Sequence, residues 1–96
     1  MSTVNHQADW RQMLQRLLKT EMSRRGIKYQ ELSERLAVIG VQQSADNLRN
    51  KVNKGIMGAD LLLQIMFVLN IQKIAREDIL IVFEAMGVEP YSGDMG

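Results

Sequence analysis

Cysteine is absent from these 96 residues, histidine and proline occur once each, and aromatic side chains make up only 5%. Without thiols there is no disulfide framework and no thiolate zinc site. His6, with no second His or Cys beside it, reads as a solvated residue of the N-terminal tail rather than a metal ligand, so neither a metal nor a cofactor is expected. Nor can it serve as the base for a Ser nucleophile from such a position. A phosphate-cradling Gly-rich loop is missing. The acid pairs Glu31 with Glu34 and Glu77 with Asp78 fit solvated helix faces and caps better than acid–base partners. The sequence therefore points away from an enzyme and gives no reason to expect a small-molecule substrate. The densest apolar run, residues 61–69, is interrupted by Gln64 and falls short of the roughly 20 residues that a bilayer-crossing helix needs. The opening residues carry neither the basic start nor the apolar block of a signal peptide, and the expected location is the cytoplasm, away from any membrane.

What is present suits packed helices. Apolar residues reach 46%, much of it Leu, Ile and Met, and no segment alternates strictly in the manner of a hairpin strand. The length allows one domain with one modest core. The reading is an all-α fold of five helices over residues 9–87, between flexible tails at 1–8 and 88–96. Asp9 and Gln12 resemble a capping box ahead of a helix whose apolar face is Trp10, Met13, Leu14, Leu17 and Leu18. Gly26 ends it, Gly55 ends the third helix, Asn70 the fourth and Gly87 the fifth. The fourth helix, about 59–69, is apolar nearly all round and is expected to be buried. The seven methionines at helical spacing read as core filler.

The net charge of +1 hides a division along the chain. Residues 11–55 hold ten Lys or Arg against four acids, a surplus of six positive charges, whereas residues 56–96 hold two against six. A nucleic-acid-binding half joined to a partner-binding half would look like this.

Residues 29–54 are the centre of that basic half. They read as helix, turn, helix, with Tyr29, Leu32 and Leu36 on one face of the first and Gly40 free to take positive φ in the turn. On the second helix Ala45, Leu48 and Val52 form an inward stripe, which at 100° per residue turns Gln43, Asn47, Asn50 and Lys54 outward. Asn and Gln can form paired hydrogen bonds with adenine and Lys can reach guanine acceptors. Most polar helix faces do no more than keep a helix soluble. Asn47, Asn50 and Asn53, however, are poor helix formers, so stability does not explain them. Gln43, Asn47, Asn50 and Lys54 are the candidate base readers. Arg24, Arg25, Lys28, Arg35, Arg49 and Lys51 are the candidate phosphate contacts, although Arg24 and Arg25 also suit the end of the first helix electrostatically. Gly55-Ile56-Met57-Gly58 has the spacing of an RNA-clamping loop, but its middle is apolar and the accompanying strands are missing.

Several stretches resemble the Cro and phage-repressor type of helix-turn-helix domain: Gly26-Ile27-Lys28-Tyr29-Gln30-Glu31-Leu32-Ser33-Glu34-Arg35-Leu36-Ala37, then Asn47 through Lys54-Gly55, then Asp60-Leu61-Leu62-Leu63-Gln64-Ile65 and Leu69-Asn70-Ile71. The resemblance spans roughly residues 10–87. It departs from the family at Lys28, where a capping Thr is usual, at Tyr29, where Gln is common, at Ser33, where a small Ala lets two helices pack, and in a turn longer by about three residues. The pattern is also similar to an uncharacterised bacterial family of repressor-like domains sharing the Asn-Leu-Arg-Asn-Lys core. The resemblance implies a five-helix, lambda-repressor-like domain binding double-stranded DNA as a small bacterial or phage-type transcriptional regulator.

Five consecutive apolar residues, 79–83, cannot all face one interior. A homodimer built on Leu80, Val82 and Phe83 with part of the fourth helix is therefore expected. The competing reading is an adaptor or antitoxin-like module that keeps the scaffold and makes no DNA contact. Single-stranded RNA is disfavoured because stacking platforms are too few.

Overall fold

The computed structural model describes residues 2–3 and 6–89, and the side chains from residue 8 onward. Chain order is β1 (Ser2–Thr3), α1 (His6–Arg25), α2 (Tyr29–Val38), α3 (Ala45–Lys54), α4 (Ala59–Val68), α5 (Arg76–Met86) and β2 (Val88–Glu89). The fold is thus all-α with five helices. Among the described residues, strand pairing is confined to one short parallel ladder, Ser2 with Val88 and Thr3 with Glu89. Much of the two expected tails, including Pro90, lies outside the described residues.

α1 begins at His6, so Asp9 lies inside its first turn rather than capping it. An acid there still favours the positive end of the helix dipole. Met13, Leu17, Leu18 and Met22 of α1 are buried. They divide between two clusters. The larger joins Leu18 and Met22 to Leu32 and Leu36 of α2, Leu48 and Val52 of α3, and Leu61 and Ile65 of α4. The smaller joins Met13 and Leu17 to Phe83 of α5, with Ile74, Ile79 and Val82 around them. Trp10 meets Phe83 edge to face, with centroids 4.8 Å apart at 86°.

Two corners fix how these helices meet. Residues 39–44 link α2 to α3. Gly40 takes φ +83° there, and the Val41 amide donates to the Leu36 carbonyl at 2.9 Å. Ser33 Oγ donates to the Gln43 carbonyl at 2.6 Å, tying the far end of the link back to α2. At the other end of α3, Gly55 is left-handed with φ +63°, and a Cβ there would overlap the Arg11 backbone carbonyl of α1. Only glycine allows that approach without strain.

Two expectations about apolar surface are corrected. α4 is not buried all round, since Leu63 is 63% and Phe67 73% exposed. These two residues sit one turn apart, on the side turned away from Leu61 and Ile65. On α5, Phe83 is fully buried within its own chain and Ile81 is the residue left 61% exposed. Leu80 and Val82 are half-buried. Phe83 is therefore spent on the core and not free for an interface. α1 supplies the surface that receives it, which a run of five apolar residues does not reveal.

Candidate functional site

α3 opens on Ser44, whose hydroxyl accepts from the Asn47 amide at 3.0 Å, an arrangement that satisfies one of the free N–H groups of the first turn. Asp46 adds a negative charge near the same end. Leu48 and Val52 then face the core and Ala45 is half-buried, which leaves Asn47, Asn50, Asn53 and Lys54 exposed. The helix is short, polar outside, and closed by Gly55.

Gln43 is the exception among the candidate readers. It precedes the Ser44 cap and so stands in the link, not on the helix. Its carbonyl is held by Ser33 and its side-chain oxygen accepts from Lys51 Nζ at 3.3 Å. The 100° rule applies only within a helix, and the helix starts two residues later than a reader at Gln43 requires.

The cations are engaged to different degrees. Arg49 pairs with Asp46 at 2.6 Å and lies over the Tyr29 ring, 5.4 Å from its centroid. Burial raises the Tyr29 hydroxyl above its ordinary value of 10.0, while the Arg49 charge pulls the other way. Arg24 and Arg25 share Glu21, at 3.3 and 2.8 Å. Arg35 pairs with Glu31 at 2.8 Å and also donates to the Val68 carbonyl at 3.0 Å, bridging α2 to the end of α4. Lys28 precedes α2 without a side-chain capping bond and is exposed. Exposed i,i+3 and i,i+4 pairs contribute only about 0.2–1 kcal/mol, so the Arg49 and Arg24 pairs exchange readily for another anion. Arg35, tied to a backbone carbonyl of another helix, is the least free.

Beside the first turn of α3 an open groove of about 860 Å³ runs between α1, α2 and α3, bordered by Lys19, Lys28, Tyr29, Ser44, Asp46 and Arg49. Lys19 was not among the sequence candidates: it lies within α1, away from the helix end that drew attention to Arg24 and Arg25, and no spacing rule joins it to residues 28–49. Ser44 was legible: a Ser before the first inward residue, with an acid two positions on, is an N-cap pattern. Among the described residues no three His, Asp or Glu side chains gather as a metal site would require. No described helix is long and apolar enough to cross a membrane.

The chain is thus a small helical protein in which one amide-rich helix stands exposed next to a groove bordered by cations. Residues 10–74, more than half of the chain, match the family described as a domain of unknown function (DUF6471), and the chain belongs to that family. No helix-turn-helix or repressor family is matched. Comparison with curated proteins and with solved structures gives no match. The matched region stops just before α5, which lies outside it.

Proposed function

We propose that the chain binds double-stranded DNA as a small transcriptional regulator, with α2 and α3 acting as a lambda-repressor-like helix-turn-helix and α3 as the reading helix. The observation that carries this is the outer face of α3, where Asn47, Asn50 and Lys54 are exposed while Leu48 and Val52 hold the opposite face in the core. Amides and an ammonium group fit major-groove acceptors and donors. Arg49 and Lys51 stand at the flanks of that face, and Lys19 and Lys28 border the neighbouring groove, positions suited to phosphates. The link at residues 39–44, with Gln43 held in it, changes the entry to the reading helix. Gln43 then acts by orienting Lys51, not by entering the groove. A two-fold dimer is part of this reading, with two reading helices about 34 Å apart to match one turn of DNA.

Titration against a random-sequence duplex pool at two salt concentrations tests it. Affinity should fall with salt, with a log–log slope near −0.9 per neutralised phosphate, and selection should enrich a motif. Absence of binding to any duplex at low salt would overturn the reading.

One observation favours a different class of function. Leu63 and Phe67 form an exposed apolar pair on α4, as an adaptor or antitoxin-like module would use. In that case binding to duplex DNA is lacking and substitution of Leu63 and Phe67 abolishes partner capture.

A further inference from the structure

The two hydrophobic clusters meet along α1, and where they meet the surface is open. A cleft of about 370 Å³ lies between α1, α5 and the 69–75 link, within the range of roughly 300–1,000 Å³ typical of small-ligand sites. Leu17, Ile74 and Val82 form its apolar floor, Ile71 enters from the larger cluster, and Ile81 stands at the lip. Arg24, Arg25 and Lys73 are at its rim with Glu21 and Asp78.

The charge balance at that rim is decided by hydrogen bonding. Glu21 is engaged by both arginines. Asp78 accepts from the Ala75 amide at 2.8 Å as it starts α5. Both carboxylates therefore have partners. Each guanidinium has five N–H donors, and each uses a single terminal nitrogen, Nη1, on Glu21. Lys73 is exposed and makes no hydrogen bond or ion pair among the described residues. What the cleft presents is an apolar floor beneath unspent cationic donors.

We infer that this cleft binds a small amphipathic anion: a carboxylate on an unbranched apolar chain, the chain against Leu17, Ile74 and Val82 and the carboxylate at Lys73 and the two arginines. Such a ligand is bound and not transformed, so it differs from the substrate that the sequence gives no reason to expect. It would also brace α5, which packs chiefly on α1, against the link that joins it to α4.

The test uses the full chain, isotope-labelled, with decanoate below its micellar concentration as the probe and decanol and decyltrimethylammonium as comparators of equal chain length. Decanoate should shift the amide resonances of Leu17, Ile71, Lys73, Ile74 and Ile81 saturably. Its affinity should exceed that of decanol by about tenfold or more, the scale of one charge-assisted hydrogen bond. Lys73→Glu should weaken decanoate by about tenfold or more on the same grounds, with the circular dichroism spectrum and thermal midpoint retained. The inference is overturned by shifts that do not saturate, by equal binding of all three probes, or by shifts centred on Leu63 and Phe67. It is overturned equally if Lys73→Glu and Arg24→Glu both leave decanoate affinity unchanged.

Discussion

Ser33 stands where the resemblance leads one to expect a small alanine, and its hydroxyl gives the long link an anchor through the Gln43 carbonyl at 2.6 Å. Replacing it with alanine leaves a half-buried carbonyl without its donor. Ser33→Ala should cost about 0.5–1.5 kcal/mol, read as a lower urea midpoint with an unchanged slope, and amide exchange should quicken across residues 39–44. Tyr29 offers a pH-dependent check. Burial raises its hydroxyl above 10.0 in the folded chain, against the lowering pull of Arg49, so the unfolded state ionises first. The stability from keeping that proton is fully present below about pH 10 and is lost as pH rises through the folded value. Between about pH 9 and about pH 11 the urea midpoint should fall more for the wild type than for Tyr29→Phe. Tyr91 is common to both proteins and cancels in the difference. Equal falls would show that the Tyr29 environment does not resist ionisation.

α3 joins stability and the proposed recognition in ten residues. Its C-terminal end docks where Gly55 is left-handed and pressed against the Arg11 backbone. Gly55→Ala adds both a strained φ and an overlap with backbone that cannot swing aside, so a loss of about 2–4 kcal/mol is expected, measured by thermal or denaturant unfolding. Gly40→Ala meets no neighbour and should cost less, the φ penalty alone. On the outer face the labour divides, if the DNA reading holds. Asn50→Ala should relax preference at one base position, about 1–3 kcal/mol of discrimination, and leave the salt slope nearly unchanged. Lys51→Ala should weaken all sequences alike and reduce the slope by about 1. It also frees the Gln43 side chain, so Gln43→Ala should mimic part of its effect without touching base preference. Identical selected motifs from the wild type, Asn47→Ala and Asn50→Ala would remove α3 as the reader.

At the scale of the molecule, the question is which apolar surface is left to pair with. Phe83 fills the smaller cluster beside Met13 and Leu17, so Phe83→Ala should cost about 3–5 kcal/mol of stability as a core truncation whatever the oligomeric state. Leu63 and Phe67 lie outside both clusters, so Leu63→Ser with Phe67→Ser should leave the monomer folded. If the proposed dimer forms there, the double variant should become monomeric by light scattering and lose much of its DNA affinity through the missing second half-site. A dimer that survives this change must be built elsewhere, with Ile81 as the next exposed large apolar side chain on α5.

Residues within four positions of one another determined what could be read from the sequence by itself. Inward stripes such as Leu32 with Leu36 and Leu48 with Val52 follow from helical periodicity, and the positive φ of Gly26, Gly40, Gly55, Asn70 and Gly87 follows from the chemistry of helix ends and turns. The same locality made five helices and the exposed amide face of α3 legible. Where two distant segments compete for one site, periodicity has no say. Gln43 precedes the Ser44 cap, and its carbonyl is held by Ser33, ten residues away. Arg35 turned to a backbone carbonyl thirty-three residues on. Of the apolar run at 79–83, Phe83 went inward because α1 presents Met13, Leu17 and Trp10 to it, and Ile81 remained outside. Those choices belong to the tertiary structure, since burial is decided by which surfaces meet and the local pattern does not contain the partner.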